Sequence, residues 1–427
     1  MISRRRRPIA GVWLATAILL CVSSVAAQTW VSIGPEGGAV AKLLQDPANN
    51  NTLYVLSGDY PASFYKSTNK GGNWNAVVRV QGSAASFAIN GKKASEMYMG
   101  GYSNFSVSTN SGTTWTSNYH YNKTFYALSV DSANQSILHA SGYEWNGTRA
   151  VMAYFKSTNK GSSWTSTGMP GTADYGYANA LAVDPKNSKN IWVGGYIRVG
   201  DNTFPKVFRT TNSGTNWTDV TGTITGFVEG ILIDSTNVKR VFVLTYGGVF
   251  KSTDNGTTWS KNSGSVYGYK LTQDPKNKNT LYAGYYNQVF KSTDGGSNWT
   301  GYTTGLTLAG MCNGLCVDRG NSLNIFYGGS MGFYRSTDGG VNWNAYKSGL
   351  LLSSITSVKI AQGSPQLLYA AFAGDGLYKT TNPMGKAGMP EAVSWTRLPT
   401  FYDCHNLTDL QISPTDPNVL YAFEGGG

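Results

Sequence analysis

Charge, cysteine and histidine are all scarce in this chain of 427 residues. Asp, Glu, Lys and Arg make up 13% of it, too little for a solvated charged helix or a polyelectrolyte tail. There are four cysteines, and one of them, Cys21, lies in the leader described below. That leaves Cys312, Cys316 and Cys404, an odd number with no zinc-type spacing, so a disulfide scaffold and a structural zinc site are both excluded as organising principles. An extended four-residue step spans roughly 13 Å, too far for a bridge between Cys312 and Cys316. A Cys312–Cys404 bridge is compatible with the sequence, and buried free thiols are the expected state. His120, His139 and His405 are far apart, and neither a metal cluster nor a Ser-His-Asp set can be built from them. No cofactor motif is present.

One long apolar run occurs, and it is at the start. Arg4, Arg5, Arg6 and Arg7 precede an apolar stretch from Ile9 to Val22, followed by Val25-Ala26-Ala27. Residues 1–27 therefore read as a secretory signal peptide, and the mature chain as secreted, cell-surface or periplasmic. No later segment approaches 18 apolar residues, so no membrane span is expected after cleavage. Without the leader, Lys plus Arg falls from 34 to 30 against 23 Asp plus Glu, and the formal charge from +11 to +7.

What is abundant is glycine (52) and aromatic side chains (27 Tyr, 16 Phe, 12 Trp), with 41% hydrophobic residues. Such a composition suits short strands and tight turns and carries enough apolar mass for a core. An eight-residue box, Ser-Thr-Asn-Lys-Gly-Gly-Asn-Trp at 67–74, recurs at 108–115, 157–164, 210–217, 252–259, 292–299 and 336–343. An interrupted eighth copy begins at Thr380-Thr381-Asn382 and resumes at Ser394-Trp395. The starts are 41, 49, 53, 42, 40, 44 and 44 residues apart, the period of a solenoid or propeller. Upstream of each box lies a strand–turn–strand signature such as Leu181-Ala182-Val183-Asp184-Pro185-Lys186-Asn187 followed by Ile191-Trp192-Val193-Gly194-Gly195. Each unit thus reads as four short antiparallel strands, the blade of a β-propeller. Eight blades are recognisable, and a ninth starts at Leu410-Gln411-Ile412-Ser413 and lacks its later strands, so residues 28–427 read as a propeller truncated at its C-terminus. Trp30-Val31-Ser32-Ile33 reads as an outer strand that could complete a last blade.

The third box position is Asn69, Asn110, Asn159, Asn212, Asp254, Asp294 or Asp338. Since Asn replaces Asp freely, these residues are expected to staple a turn by accepting backbone N–H groups two residues on, rather than to act as acids. The fifth position is Gly, for a left-handed turn. Trp74, Trp115, Trp164, Trp217, Trp259, Trp299 and Trp343 are expected to cover the hairpin.

These boxes and their upstream strands resemble the Asp-box, or BNR, repeats over nearly all of residues 30–427. The resemblance implies a β-propeller and leaves several activities open, among them sialidases, xyloglucan-degrading glycoside hydrolases, sortilin-type receptors and a photosystem II assembly factor. It also implies two ways to complete the fold: a single ring of about ten blades, or two tandem seven-bladed rings of the xyloglucanase type. A solitary ring with an improvised last blade is a third way.

Strand alternation puts the regular turns on one face and the longer, variable loops on the other, where a ligand site is expected. Asp59 and Asp375, each just before a third strand, are the candidate catalytic acids; xyloglucan-degrading enzymes carry an acid in a comparable segment, whereas Thr245-Tyr246-Gly247-Gly248 and Gly284-Tyr285-Tyr286-Asn287 have none. Tyr143, Glu144, Trp145, Tyr175, Tyr177 and Tyr196 cluster in variable loops and suit sugar rings or peptide side chains. The cations before each box are spread evenly by the repeat, which argues against nucleic acid. The expected function is a secreted propeller that binds an extracellular glycan or protein; the alternative is an extracellular glycoside hydrolase with paired carboxylates.

Overall fold

The computed structural model describes residues 38–58, 60–170, 174–262, 266–306, 309–346 and 350, and shorter pieces between 355 and 424. The leader, the strand expected at 30–33, Asp59, Asp375 and Cys404 lie outside the described residues. Among the described residues there is no helix, and the strands form antiparallel sheets. Unit 1 (40–80) is a four-stranded sheet in sequence order, and so are units 4 (175–219), 5 (228–261), 6 (270–302), 7 (312–345) and 8 (355–397). Units 2 and 3 (86–168) form one seven-stranded sheet, because the strand Thr116–Val130 is the last of one unit and the first of the next. Unit 9 is a pair, Leu407–Ile412 with Leu420–Glu424.

Burial follows strand position. The second strands, such as Leu53–Ser57, Val241–Thr245 and Ile325–Gly329, are buried at every residue, because both faces of each sheet are covered. They are accordingly continuous apolar runs. From unit 3 onward the fourth strands are short, down to two residues in Thr218–Asp219 and Asn344–Ala345, which leaves little free edge for aggregation. First strands pack against the first strands of neighbouring units.

The turn after most first strands is closed by an aspartate, and in unit 2 by Asn90, whose Oδ1 accepts from Lys92 N (3.0 Å) and Lys93 N (3.2 Å). Asp46 Oδ1 accepts from Ala48 N (2.8 Å) and Asn49 N (3.1 Å), and Asp131, Asp184, Asp234 and Asp274 repeat the pattern. The box turn differs from the expectation. Its third-position oxygen accepts from the residue four positions on: Asn69 from Asn73 N (3.0 Å), Asp254 from Thr258 N (2.9 Å), Asp294 from Asn298 N (2.9 Å). The reason is that the fourth and fifth positions are both left-handed, as at Lys70 (φ 58°) and Gly71 (φ 82°), so the chain coils back on the box. Meanwhile the first-position hydroxyl accepts the fifth-position N–H, as Ser67 does from Gly71 (2.8 Å).

That glycine also joins sheets. A Cβ on Gly112 would lie 2.0 Å from the ring of Phe64 in the preceding unit. The same relation links Gly161 to Phe105, Gly214 to Tyr154, Gly256 to Trp192, Gly296 to Phe242 and Gly340 to Tyr282. Gly71 of unit 1 has its ring in unit 7, where Phe333 lies 2.1 Å from such a Cβ. Box tryptophans pack edge-on to the same rings: Trp115 to Phe64 (5.5 Å), Trp164 to Phe105 (5.0 Å), Trp217 to Tyr154 (5.2 Å) and Trp74 to Phe333 (5.0 Å).

Unit 1 and unit 7 share one core of Val40, Leu43, Val55, Trp74, Phe326 and Phe333. Polar contacts seal the same seam. Asp318 accepts from Gln45 Nε2 (2.9 Å) and Lys70 Nζ (2.6 Å), Arg319 Nη2 donates to Gln45 O (2.7 Å), and Asn313 Nδ2 donates to Val40 O (2.9 Å). Units 8 and 9 have a core of their own, built from Tyr369, Ala371, Leu377 and Leu410.

Two predictions test the seam. Gly71→Ala meets both a left-handed backbone and the Phe333 ring, and should cost about 3 kcal/mol in chemical denaturation. Gly147→Ala, also left-handed (φ 95°) but with nothing within 4 Å, should cost about 1 kcal/mol; equal losses would show that the ring contact is idle. Burial alone would raise the Asp318 carboxyl, but the bonds from Lys70, Asn324, Gln45 and Gly320 N outweigh it and hold the group at about 2. With an unfolded value of about 3.9, its stabilisation is complete above about pH 4 and is lost as pH falls through about 2. Asp318→Asn should therefore lower the melting temperature at pH 7 and flatten its dependence between pH 4 and pH 2.

Candidate functional site

The loops opposite the box turns differ in length from unit to unit. In units 5 to 7 the second and third strands are four or five residues long and joined by tight turns. In unit 3 the corresponding strands, Leu138–Trp145 and Ala150–Ser157, have eight residues each, and in unit 4 Ile191–Val199 and Asn202–Thr210 have nine. About four extra residues raise each hairpin by about 13 Å above the common rim. The two hairpins make a wall on one side of this face.

Beside the wall runs a chain of aromatic rings. It passes from Tyr102 to Tyr126 (5.9 Å between centroids), Tyr143 (5.9 Å), Tyr177 (5.3 Å), Tyr196 (5.3 Å) and Phe227 (4.9 Å). It continues to Tyr246 (5.9 Å), Tyr269 (5.5 Å) and Tyr285 (5.5 Å), with Tyr286 on Tyr269 and Tyr285. Most of these rings are half-buried, while Tyr102, Phe227, Tyr246 and Tyr286 are exposed. Burial, and then neighbouring phenols, push the hydroxyls of Tyr126, Tyr177 and Tyr196 above the usual tyrosine range, so they stay neutral.

Glycine and bulges place the rings. Tyr102, Tyr143, Tyr196 and Tyr285 each follow a glycine: Gly142 and Gly195 lie within the long second strands of units 3 and 4, Gly284 ends that of unit 6, and Gly101 follows that of unit 2. A Cβ on Gly195 would lie 1.9 Å from Tyr177 O, and one on Gly142 1.8 Å from Thr124 O, so only glycine lets the first strand approach there. The first strands carry a register shift at the same level, between Phe125 and Ala127, Tyr177 and Ala180, Val228 and Gly230, and Val40 and Lys42. A bulge re-aims its extra side chain; Tyr126 and Glu229 occupy such positions.

A groove of about 810 Å³ opens between the chain of rings and the wall, lined by Tyr175, Asn179, Tyr196, Arg198, Phe227, Glu229 and Tyr246, among others. Glu229 is the one carboxylate among its described lining residues. Burial raises the Glu229 carboxyl, partly offset by Lys270 and Lys42. Burial and then Lys270 lower the Lys42 ammonium to about 7, partly offset by Glu229.

The structure brings Tyr143, Tyr175, Tyr177 and Tyr196 together. Tyr177 touches the other three rings, and Tyr175 lies under the Arg198 guanidinium (5.5 Å). Glu144 is drawn away from them: it accepts from Lys123, Ser166 and Asn122, and these bonds outweigh burial to lower its carboxyl. Trp145 stands at the hairpin tip opposite Ala150, 48% exposed. Sequence reasoning missed Tyr102, Tyr126, Phe227, Tyr246, Tyr269, Tyr285 and Tyr286. For Tyr102 and Tyr285 the Gly-Tyr pair that they share with Tyr143 and Tyr196 was the available signal.

Among solved structures the chain is similar to the GH74 xyloglucanase from Xanthomonas campestris, with a TM-score of 0.61 and 13% identity over 90% of this chain and 71% of that one. It is also similar to YCF48 bound to D1 peptide, with a TM-score of 0.50 and 13% identity over 71% of this chain and 92% of that one. At such identity the likeness establishes the fold, a β-propeller of four-stranded antiparallel sheets, and nothing of the activity. No family model matches the chain, and no curated protein matches it.

Trp145 and Tyr177 should separate surface from scaffold. Trp145→Ala should leave the melting temperature within about 1 °C of wild type, since exposed substitutions cost little. Tyr177→Ala removes four ring contacts and should cost about 2–3 kcal/mol. A large loss for Trp145→Ala would make that side chain part of the packing.

Proposed function

We propose that this chain is a secreted propeller whose variable face binds a polysaccharide along the tyrosine chain. The observation that carries this reading is the unbroken run of ring contacts from Tyr102 to Tyr286, crossing units 2 to 6 beside an open groove. Flat, uncharged, half-exposed rings with neutral hydroxyls match the alternating apolar faces and equatorial hydroxyls of pyranose rings. An open groove without a deep pocket suits a polymer better than a peptide anchored by side chains.

The architecture we propose is a first ring of seven blades, units 1 to 7, followed by the first two blades of a second. The seam from unit 7 to unit 1 supports closure of the first ring. YCF48 aligns with 71% of this chain, about the share that 40–345 makes up. Unit 8 repeats the register of unit 1, yet Val358 is 48% exposed where its counterpart Leu43 is 5% exposed. Unit 8 thus presents the face that unit 7 covers in unit 1. The boxes fit the Asp-box repeats in this reading.

Hydrolysis is the second reading. Glu229, a carboxyl raised by burial within the groove, favours it as a proton donor. A glycosidase needs a second acid roughly 5–9.5 Å away, and that acid would come from outside the described lining residues. Isothermal titration with xyloglucan and cellohexaose tests the binding reading. Tyr196→Ala and Tyr246→Ala should each weaken binding by roughly tenfold, and Tyr121→Ala, an exposed change off the ring chain, should not. Wild-type affinity in both groove variants would refute the platform. Release of reducing ends, abolished by Glu229→Gln, would install the hydrolase instead.

A further inference from the structure

Within the groove, three aromatic rings and one carboxylate line the same space: Tyr196, Phe227, Tyr246 and Glu229. Tyr196 meets Phe227 at 4.9 Å between centroids with 51° between the planes, and Phe227 meets Tyr246 at 5.9 Å and 84°. Rings at such angles do not make one flat platform, unlike the pair Tyr269 and Tyr285, which lie within 12° of parallel. Angled rings beside a carboxylate suit a cation, which is drawn to the negative faces of the rings and to the carboxylate together. Glu229 is the extra residue of the bulge between Val228 and Gly230, so its side chain is released from the alternation of its strand. Among the described residues its carboxylate accepts no hydrogen bond and joins no ion pair. Burial raises the carboxyl by more than Lys270 and Lys42 lower it. The other charged residue among the described lining, Arg198, is already matched. Its guanidinium lies over the Tyr175 ring (5.5 Å), donates to the Tyr175 hydroxyl and to Gly200 O, and pairs with Asp201 (3.4 Å). Asp174, which accepts from Gly200 N (2.6 Å), adds a second carboxylate on that side. The unmet charge in the groove is therefore negative. A half-buried carboxylate without a partner is costly, and the cost falls when a cation arrives.

We propose that Glu229, Tyr196, Phe227 and Tyr246 form a subsite for an ammonium group borne by the polysaccharide, so that the preferred ligand is a glycan of amino sugars with free amines. The proposal rests on the platform reading above and goes beyond it, since a neutral glucan offers Glu229 no charge. An ammonium group at the edge of a pyranose leaves the sugar face free to lie on one ring while the charged edge turns to the carboxylate and the next ring. N-acetylation removes the charge, so acetylated residues gain nothing here. This role of Glu229 is a binding role and requires no second acid. A cation beside the carboxylate favours its ionised form, so binding at a pH where Glu229 is partly protonated releases protons.

The test is isothermal titration of the full chain at about pH 5.5, between the ordinary carboxyl and amine ranges, in two buffers of different ionisation enthalpy. The probes are cellohexaose, the glucosamine hexamer, its fully N-acetylated counterpart and hexalysine. The glucosamine hexamer should bind roughly tenfold tighter than cellohexaose at low salt and lose part of that advantage as salt rises. It should release a fraction of a proton, whereas cellohexaose and the acetylated hexamer release none. Glu229→Gln should bring the ratio of the two affinities to about one and abolish the proton release. Phe227→Leu, at an exposed position that keeps an apolar side chain, should reduce the ratio and keep the release, which separates the ring from the charge. Equal affinity of the wild type for the glucosamine hexamer and cellohexaose, with cellohexaose bound, overturns the subsite and leaves the platform. Failure to bind either sugar overturns both. A preference that persists in Glu229→Gln overturns the assignment to this carboxylate. Hexalysine that binds as tightly as the glucosamine hexamer and displaces it overturns the assignment to a glycan in favour of a cationic peptide.

Discussion

The contact on which the structure depends is that between the fifth box residue and an aromatic ring of the preceding sheet. A propeller blade is only four strands, and its neighbours must cover both of its faces. The box turn coils through two left-handed residues, which brings a glycine without a side chain onto the ring edge-on. A Cβ there would lie only 2.0 to 3.1 Å from the ring, so residue choice at one turn position is set by packing between units as well as by the backbone. In five of the units the box tryptophan then packs edge-on to the same ring. Seven such pairs run through units 1 to 7, and the seventh joins Gly71 to Phe333, some 260 residues apart in sequence. A local motif thereby does long-range work, which is how a repeat of about 44 residues with few charges and no disulfide among the described residues holds a large assembly in register.

The same constraint explains the division of labour between the faces. On the box face nearly every acid is spent on backbone N–H groups: the anchor aspartates on the second and third residues after them, the box residues on the fourth. These are turn-forming groups, and Asp and Asn interchange there because both offer an acceptor oxygen. The opposite face carries no such obligation. There the first strands bulge, and a bulge frees one side chain per strand from the sheet's alternation. Tyr126 and Glu229 owe their positions to that extra residue. The groove lies at the one end of each blade where no turn motif dictates the sequence.

Much of this was legible in the residues. The box period and the strand signatures specify four-stranded units, and the alternation of strand direction separates the regular face from the variable one. Four tyrosines, Tyr143, Tyr175, Tyr177 and Tyr196, could be singled out because they crowd into long loops. Tyr246, Tyr269 and Tyr285 could not, because they lie in the short connections of units 5 and 6, and only the packing of one sheet beside the next brings their rings together. Glu144 was misleading for a related reason. Its neighbours in sequence are aromatic, but its partners in space, Lys123 and Ser166, come from flanking strands and neutralise it.

One irregularity in the sequence turns out to locate the wall. Successive boxes are 40 to 44 residues apart except for the intervals of 49 and 53, which end at the boxes of units 3 and 4. The structure puts the added residues into the second and third strands of these two units, the eight- and nine-residue hairpins that rise above the rim. Extra length in a propeller unit has few places to go. The box and aspartate turns are fixed by hydrogen bonds to specific atoms, and the buried second strand is fixed by its two neighbouring sheets. Only the hairpin at the far end can grow without breaking a contact between sheets. Departures from the repeat period therefore accumulate on the face that is free to evolve a ligand site, and the longest departures here flank the groove.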